Sequence, residues 1–203
     1  QRYASNGSAV GGEFRVNSTT AHDQDSPAIS ALADGGYVVT WTDRGLWNST
    51  TNSYDPGQDG SGDGVYAQRY ASNGSAVGGE FRVNSTTANN QESPAISALV
   101  DGGYVVTWES NGQDGSGRGI YAQRYASNGS VVGREFRVNS TTANDQYGSA
   151  ISALADGGYV VTWTSGVQDG DGSGIYAQRY ASNGSTVGGE FRVNSTTNDA
   201  QWS

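Results

Sequence analysis

Three stretches of the chain alternate glycine with oxygen-bearing side chains: Asp59-Gly-Ser61-Gly-Asp63-Gly, Asp114-Gly-Ser116-Gly-Arg118-Gly and Asp169-Gly-Asp171-Gly-Ser173-Gly. Glycine lets a backbone curl until carbonyl and carboxylate oxygens converge, which is how proteins wrap hard cations. The spacing predicts calcium loops, with Asp59, Ser61 and Asp63 in the first and Asp169, Asp171 and Ser173 in the third. The second loop keeps Asp114 and Ser116, while Arg118 brings a positive charge to the place of the third oxygen. These are not EF-hand loops, because Tyr70, Tyr125 and Tyr180 stand where the bidentate acid of the twelfth position belongs.

A second candidate lies in a stretch that interrupts an otherwise regular sequence. Residues 43–56 place Trp47 and Tyr54 among Asn52 and Asp55. Aromatic faces flanked by amides and a carboxylate suit stacking on sugar rings and hydrogen-bonding to their hydroxyls, and loops on rigid scaffolds carry binding. The lone His22 and the absence of cysteine exclude multi-histidine metal sites, cysteine-ligated zinc, thiolate nucleophiles and disulfides. A glycosidase needs a specific pair of carboxylates. The strand acids read as one repeated set, so the sequence reading is no enzyme and no catalytic residue.

The scaffold is a tandem repeat. QRYASNGS occurs at Gln1, Gln68, Gln123 and Gln178, each copy running on into EFRVNSTT, and a block ending DGGYVVTW closes at Trp41, Trp108 and Trp163. Successive Tyr3, Tyr70, Tyr125 and Tyr180 are separated by 67, 55 and 55 residues. Residues 1–24 are thus a half unit of two strands. Residues 25–91 form a first full unit containing the insertion, 92–146 a second and 147–203 a third.

Each unit carries four strand signals, represented by Ala28–Leu32, Tyr37–Thr42, Val65–Tyr70 and Glu80–Asn84. Asp34-Gly35-Gly36 and Ser72-Asn73-Gly74-Ser75 are hairpin turns, since glycine supplies the positive φ that tight turns between twisted strands need. In YVVTW both faces carry apolar bulk, so the strand is buried on two sides. The expected fold class is all-β: tandem four-stranded antiparallel sheets resembling β-propeller blades, either partial or completed by oligomerisation, with a β-solenoid or another open all-β array as the alternative. Arg69 and Glu80, with Arg2/Glu13, Arg124/Glu135 and Arg179/Glu190, are expected to pair across a hairpin. The NST and NGS sequons read as turn formers.

All eleven basic residues are arginine, and they are outweighed to a net charge of −9. That balance disfavours nucleic acid, and no apolar run is long enough to insert in a membrane. DGGYVVTW, QDGSGxGIYAQRY and GxEFRVN together resemble repeats of large, type I-secreted, calcium-associated bacterial proteins of the RTX/adhesin kind, over nearly the whole chain. The tandem GGxGxDxUx nonapeptide of RTX calcium rolls is missing. The resemblance implies a secreted or cell-surface, non-enzymatic repeat module for adhesion or surface structure, with calcium in its loops and glycans or cell-surface components as partners. Two alternatives stand beside it: a multivalent carbohydrate-binding β-propeller lectin, and a subunit that self-associates through open sheet edges into oligomers or filaments.

Overall fold

The computed structural model describes residues 1–50 and 53–196, and among them there is no helix, hence none long and apolar enough to cross a membrane. The half unit supplies β1 (Arg2–Tyr3) and β2 (Ala9–Val10), paired antiparallel. The first full unit begins with β3 (Gln24–Ala31) and β4 (Tyr37–Asp43) and carries the insertion as a separate ribbon, β5 (Leu46–Asn48) with β6 (Ser53–Asp55). It ends with β7 (Gly64–Tyr70) and β8 (Ala76–Arg82), giving the sheet order β3-β4-β7-β8. The second sheet is β9 (Gln91–Ala98), β10 (Tyr104–Asn111), β11 (Arg118–Tyr125) and β12 (Val131–Arg137). The third repeats it as β13 (Gln146–Ala153), β14 (Tyr159–Gly166), β15 (Ser173–Tyr180) and β16 (Thr186–Arg192).

All pairings are antiparallel meanders, so the propeller-like blade describes this chain and the parallel-coiled solenoid does not. The first strands β3, β9 and β13 lie against one another, and the outer strands β8, β12 and β16 fan away from them. The turns form as their residues dictate. Leu32 N–H donates to Gly36 O, Gly35 sits at φ 80°, and the Asp34 carboxylate accepts from Gly36 N–H.

Burial follows from the two-sided apolar strand. Val38 and Val65 of the first sheet face Tyr104, Val106 and Trp108 of the second, and Val105 and Ile120 of the second face Tyr159, Val161 and Trp163 of the third. Each such side chain contributes about 1.5–3 kcal/mol when fully buried. The ends of the half unit and of the first two full units also reach onto the next sheet. Phe14, Phe81 and Phe136 sit tilted at 5.6–5.7 Å from Tyr70, Tyr125 and Tyr180, which stack in turn on Tyr37, Tyr104 and Tyr159.

A buried asparagine fixes each junction between full sheets. Asn139, 2 % exposed, accepts from Ile120 N–H and donates to Thr141 O and to Gln146 Oε1, tying the exit of one sheet to the entry of the next. Asn84 does the same with Val65, Thr86 and Gln91. These sequon asparagines are structural.

Two local expectations are corrected. The fourth strand is Ala76–Arg82 rather than Glu80–Asn84, because Gly78, at φ 72°, is accommodated inside the strand where its register against β7 shifts between Ala67 and Arg69. The Arg–Glu pairs do not form. Arg69, Arg124 and Arg179 turn to Asp34, Asp101 and Asp156 of their own DGG turns. Glu80, Glu135 and Glu190 instead accept from the Ser18, Ser85 and Ser140 amides of the preceding unit. The register explains this: Arg69, Arg124 and Arg179 stand opposite Val77, Val132 and Val187, three residues before the glutamates.

Candidate functional site

Near-identical units make every difference between them informative, and most of the charged differences gather at one rim, Arg134 of the outer strand β12 standing apart where the other units have Gly79 and Gly189. The second residue of the inner strand is Asp25, Glu92 or Tyr147 in the three sheets; the position after the strand-two tryptophan is Thr42, Glu109 or Thr164; the start of the third strand is Asp63, Arg118 or Ser173. Register puts them at the same end of each sheet, with Glu92 opposite Glu109, Asp25 opposite Thr42 and Tyr147 opposite Thr164. A bulge in each inner strand reshapes this end. Its positive-φ residue is Ser26 (51°), Ser93 (56°) or Gly148 (66°). Bulges of this kind are common beside active sites, where they re-aim side chains.

Stacking the sheets joins these residues into a charged chain. Arg44 donates from Nε to Asp25 Oδ2 at 2.6 Å and from Nη1 to Asp63 Oδ2 at 2.7 Å and Glu92 Oε2 at 3.0 Å. Arg118 continues it, with Nη2 at 3.1 Å from Glu92 Oε1 and Nη1 at 3.4 Å from Glu109 Oε2. Glu92 therefore bridges arginines from two sheets. The third sheet joins through Gly148 N–H, which donates to Glu109 Oε1 at 2.9 Å, and Tyr147 Oη lies 3.3 Å from Ser173 Oγ.

Four carboxylates share two guanidiniums, and they differ in exposure. The side chains of Asp63 and Glu109 are 2 % and 6 % exposed, whereas those of Asp25 and Arg118 are 45 % and 44 % exposed. Burial pushes the Asp63 carboxyl above its ordinary range, against the opposing pull of Arg44. Burial likewise pushes Glu109 up, countered by the Gly148 amide and then Arg118. The hydrogen bond to Asp25 is the largest influence holding the Arg44 guanidinium above its usual value. The rim thus presents exposed hydrogen-bonding groups over two buried carboxyls that protonate more easily than free ones.

The residues expected to hold calcium fall differently. Asp59, Asp114 and Asp169 each accept from the amide two residues on, at Ser61, Ser116 and Asp171. Their Oδ2 atoms are buried without a hydrogen-bond partner, beside Gly64, Gly119 and Gly174. Asp63 leaves its loop for Arg44 and the Gly45 amide, Arg118 goes to Glu92 and Glu109, and Ser173 meets Tyr147. Ser116 and Asp171 are exposed. No group of three or more acidic or histidine side chains able to hold a metal ion occurs among the described residues. In the insertion, Trp47 and Tyr54 are register partners on β5 and β6, Asp55 is exposed opposite Leu46, and Asn52 lies outside the described residues.

The fold compares with solved structures. An endo-arabinase from Bacteroides thetaiotaomicron matches at TM-score 0.51 and 18 % identity over 90 % of this chain and 66 % of that one. A GH43 protein from Bacillus licheniformis matches at TM-score 0.49 and 11 % identity over 90 % of this chain and 31 % of that one. A Dyadobacter fermentans protein of unknown function gives 0.43 and 9 %, over 87 % and 71 %. The chain therefore spans less than two thirds of the first two. No family model matches the chain, and no curated protein does. The class defined by fold is a β-propeller-like blade array.

Two expectations are overturned here. The non-enzymatic adhesion module gives way because the blade architecture is shared with a carbohydrate-active enzyme, an endo-arabinase. The exclusion of an enzyme rested on every strand acid being repeated, and Asp25, Asp63, Glu92 and Glu109 are not one repeated set. Position-by-position comparison of the units is the signal that finds this rim.

Proposed function

We propose that the protein is carbohydrate-active and engages a saccharide on the rim that carries Asp25, Arg44, Glu92 and Arg118. The observation that carries this reading is the convergence of Asp25, Arg44, Asp63, Glu92, Glu109 and Arg118, all charged where the units differ, at one end of three stacked inner strands. Exposed carboxylate and guanidinium groups there match vicinal hydroxyls, which donate to one and accept from the other. The shared blade fold of an endo-arabinase supports arabinose-containing glycans as the first ligands to try. Binding of arabino-oligosaccharides, read by titration calorimetry well below the melting temperature, is expected to weaken at least tenfold in Arg118→Ala, with circular dichroism confirming that the variant is folded. Absence of binding by the unmodified chain across arabino- and other oligosaccharides would remove the reading.

A second reading, glycoside hydrolysis, is favoured by the two buried carboxyls, since a general acid needs a raised pKa. Release of reducing ends from arabinan that disappears in Glu109→Gln would establish it. Release that persists unchanged in that variant would not belong to this site.

A further inference from the structure

A glutamine recurs at one place in all three outer hairpins, and only half of its side-chain amide is used. Gln68, Gln123 and Gln178, 4–5 % exposed, stand on the third strand where its register against the outer strand shifts. A bulge leaves ladder carbonyls without their strand partners, and the glutamine takes them. Gln123 Nε2 donates to Arg124 O at 2.9 Å and to Val132 O at 3.2 Å. Its Oε1 accepts from no donor among the described residues, and the side chain lines a groove of about 1010 Å³ between the first and second sheets. Gln178 is held in the same way in the equivalent groove of about 620 Å³ between the second and third sheets. A buried acceptor, fixed by its own amide and facing open space, is set for a hydroxyl donor.

The groups around this acceptor narrow the ligand. Glu135 Oε2 accepts from the Ser85 amide at 2.6 Å and Ser85 Oγ at 2.9 Å, and its Oε1 accepts from Thr86 Oγ1 at 3.2 Å and Gln113 Nε2 at 2.6 Å. That carboxylate is spent on uncharged donors. The arginines of the groove are not spent. Arg82 donates from Nε to Asn84 O at 2.9 Å, but neither it nor Arg134 makes an ion pair among the described residues, and both are exposed. Gly133, at φ 73°, has nothing within 4 Å of where a Cβ would stand, so the wall beside Gln123 is open. The position of Arg134 is Gly79 in the first sheet and Gly189 in the third. This groove therefore carries two guanidiniums without a carboxylate partner, where the equivalent grooves carry one, Arg15 or Arg137.

We propose that the groove between the first and second sheets binds a saccharide that bears a carboxylate, a uronic-acid unit. Gln123 Oε1 accepts from a sugar hydroxyl, and Arg134 and Arg82 hold the carboxylate. Paired guanidinium N–H groups match the two oxygens of a carboxylate, and such charge-assisted bonds are the strong ones. The ligand class rests on the carbohydrate reading of the rim, but the site is separate, since no charged residue of the rim lines this groove.

Titration calorimetry with the trisaccharide of galacturonic acid tests the proposal. Galactotriose supplies the sugar without the carboxylates, and triglutamate the charge without the sugar. The unmodified chain is expected to bind the acidic trisaccharide at least tenfold more tightly than either. Arg134→Gly gives the second sheet the residue of the other two, and it is expected to lose at least tenfold in affinity with circular dichroism unchanged. Moving the arginine, as Arg134→Gly with Gly189→Arg, is expected to restore binding in the next groove, because Gly189 lies outside the left-handed region and has free space at Cβ. Equal binding of galactotriose or triglutamate, unchanged binding in Arg134→Gly, no gain on moving the arginine, or no binding by the unmodified chain would each overturn the proposal. Arg118→Ala is expected to bind the acidic trisaccharide as the unmodified chain does, which keeps this result distinct from the fate of the rim reading. A loss in that variant instead would put the ligand on the rim and overturn the groove.

Discussion

Replacing Trp108 with alanine is expected to cost about 3–5 kcal/mol, enough to lower the melting temperature by roughly 10–15 °C. Trp108 is fully buried in the seam between the first and second sheets, packed among Val38, Val65 and Val106, and neither neighbouring sheet can collapse into the void without breaking its own strand register. Trp41→Ala is expected to cost less. The equivalent tryptophan of the first sheet is covered by the half unit alone and borders a pocket of about 140 Å³, so part of its packing is already missing. Thermal melts of the two variants check the order. Equal losses would show that the half unit packs Trp41 as completely as the first sheet packs Trp108.

The second large effect is expected at the rim. Arg44→Ala leaves the buried Asp63 carboxylate and one oxygen of Glu92 without their cation, and removing one member of such a pair costs more than the pair's net worth. The expected loss at neutral pH is about 2–3 kcal/mol, reduced from the ~3–5 kcal/mol of a fully buried pair because Arg44 is partly exposed. Its pH dependence has a definite sign. Burial already holds the Asp63 carboxyl above its unfolded value, and losing Arg44 raises it further, so the folded variant binds a proton more tightly than the unfolded chain. Folding of the variant is therefore penalised above the raised pKa, and the penalty fades as pH falls through it. Denaturant titrations from pH 7 to pH 4 are expected to show the gap between variant and unmodified chain narrowing. A gap that widens on acidification would mean that Asp63 is not the group Arg44 compensates.

The fold was largely legible because duplication repeats its signals. DGG and SNG turns, the two-sided YVVTW strand and the recurring EFRVN segment give strand number, hairpins and blade stacking. What was not legible depends on distance across the seams. Arg69 and Glu80 share one hairpin, but its bulged register sets Arg69 opposite Val77, and each finds its partner elsewhere, Arg69 on Asp34 and Glu80 on Ser18 of the preceding unit. The expected strand starts at Glu80, beyond Gly78, although a bulge holds Gly78 inside the strand. The rim escaped for a related reason. Reading the units for what they share hides Asp25, Glu92, Glu109, Arg44 and Arg118, and their contacts exist only once three sheets are stacked with their inner strands bulged. The glycine-rich loops attracted attention through composition, whereas Asp63 and Arg118 do their pairing at the strand ends just beyond.

The most direct measurement is an amide chemical-shift map of the chain titrated with arabino-oligosaccharides. Perturbations are expected at the Gly45, Ser93, Arg118 and Gly148 amides, which surround the charged rim on all three sheets. Perturbations confined to the opposite rim, at the DGG and SNG turns, or no perturbation with any saccharide tested, would contradict the assignment of this site.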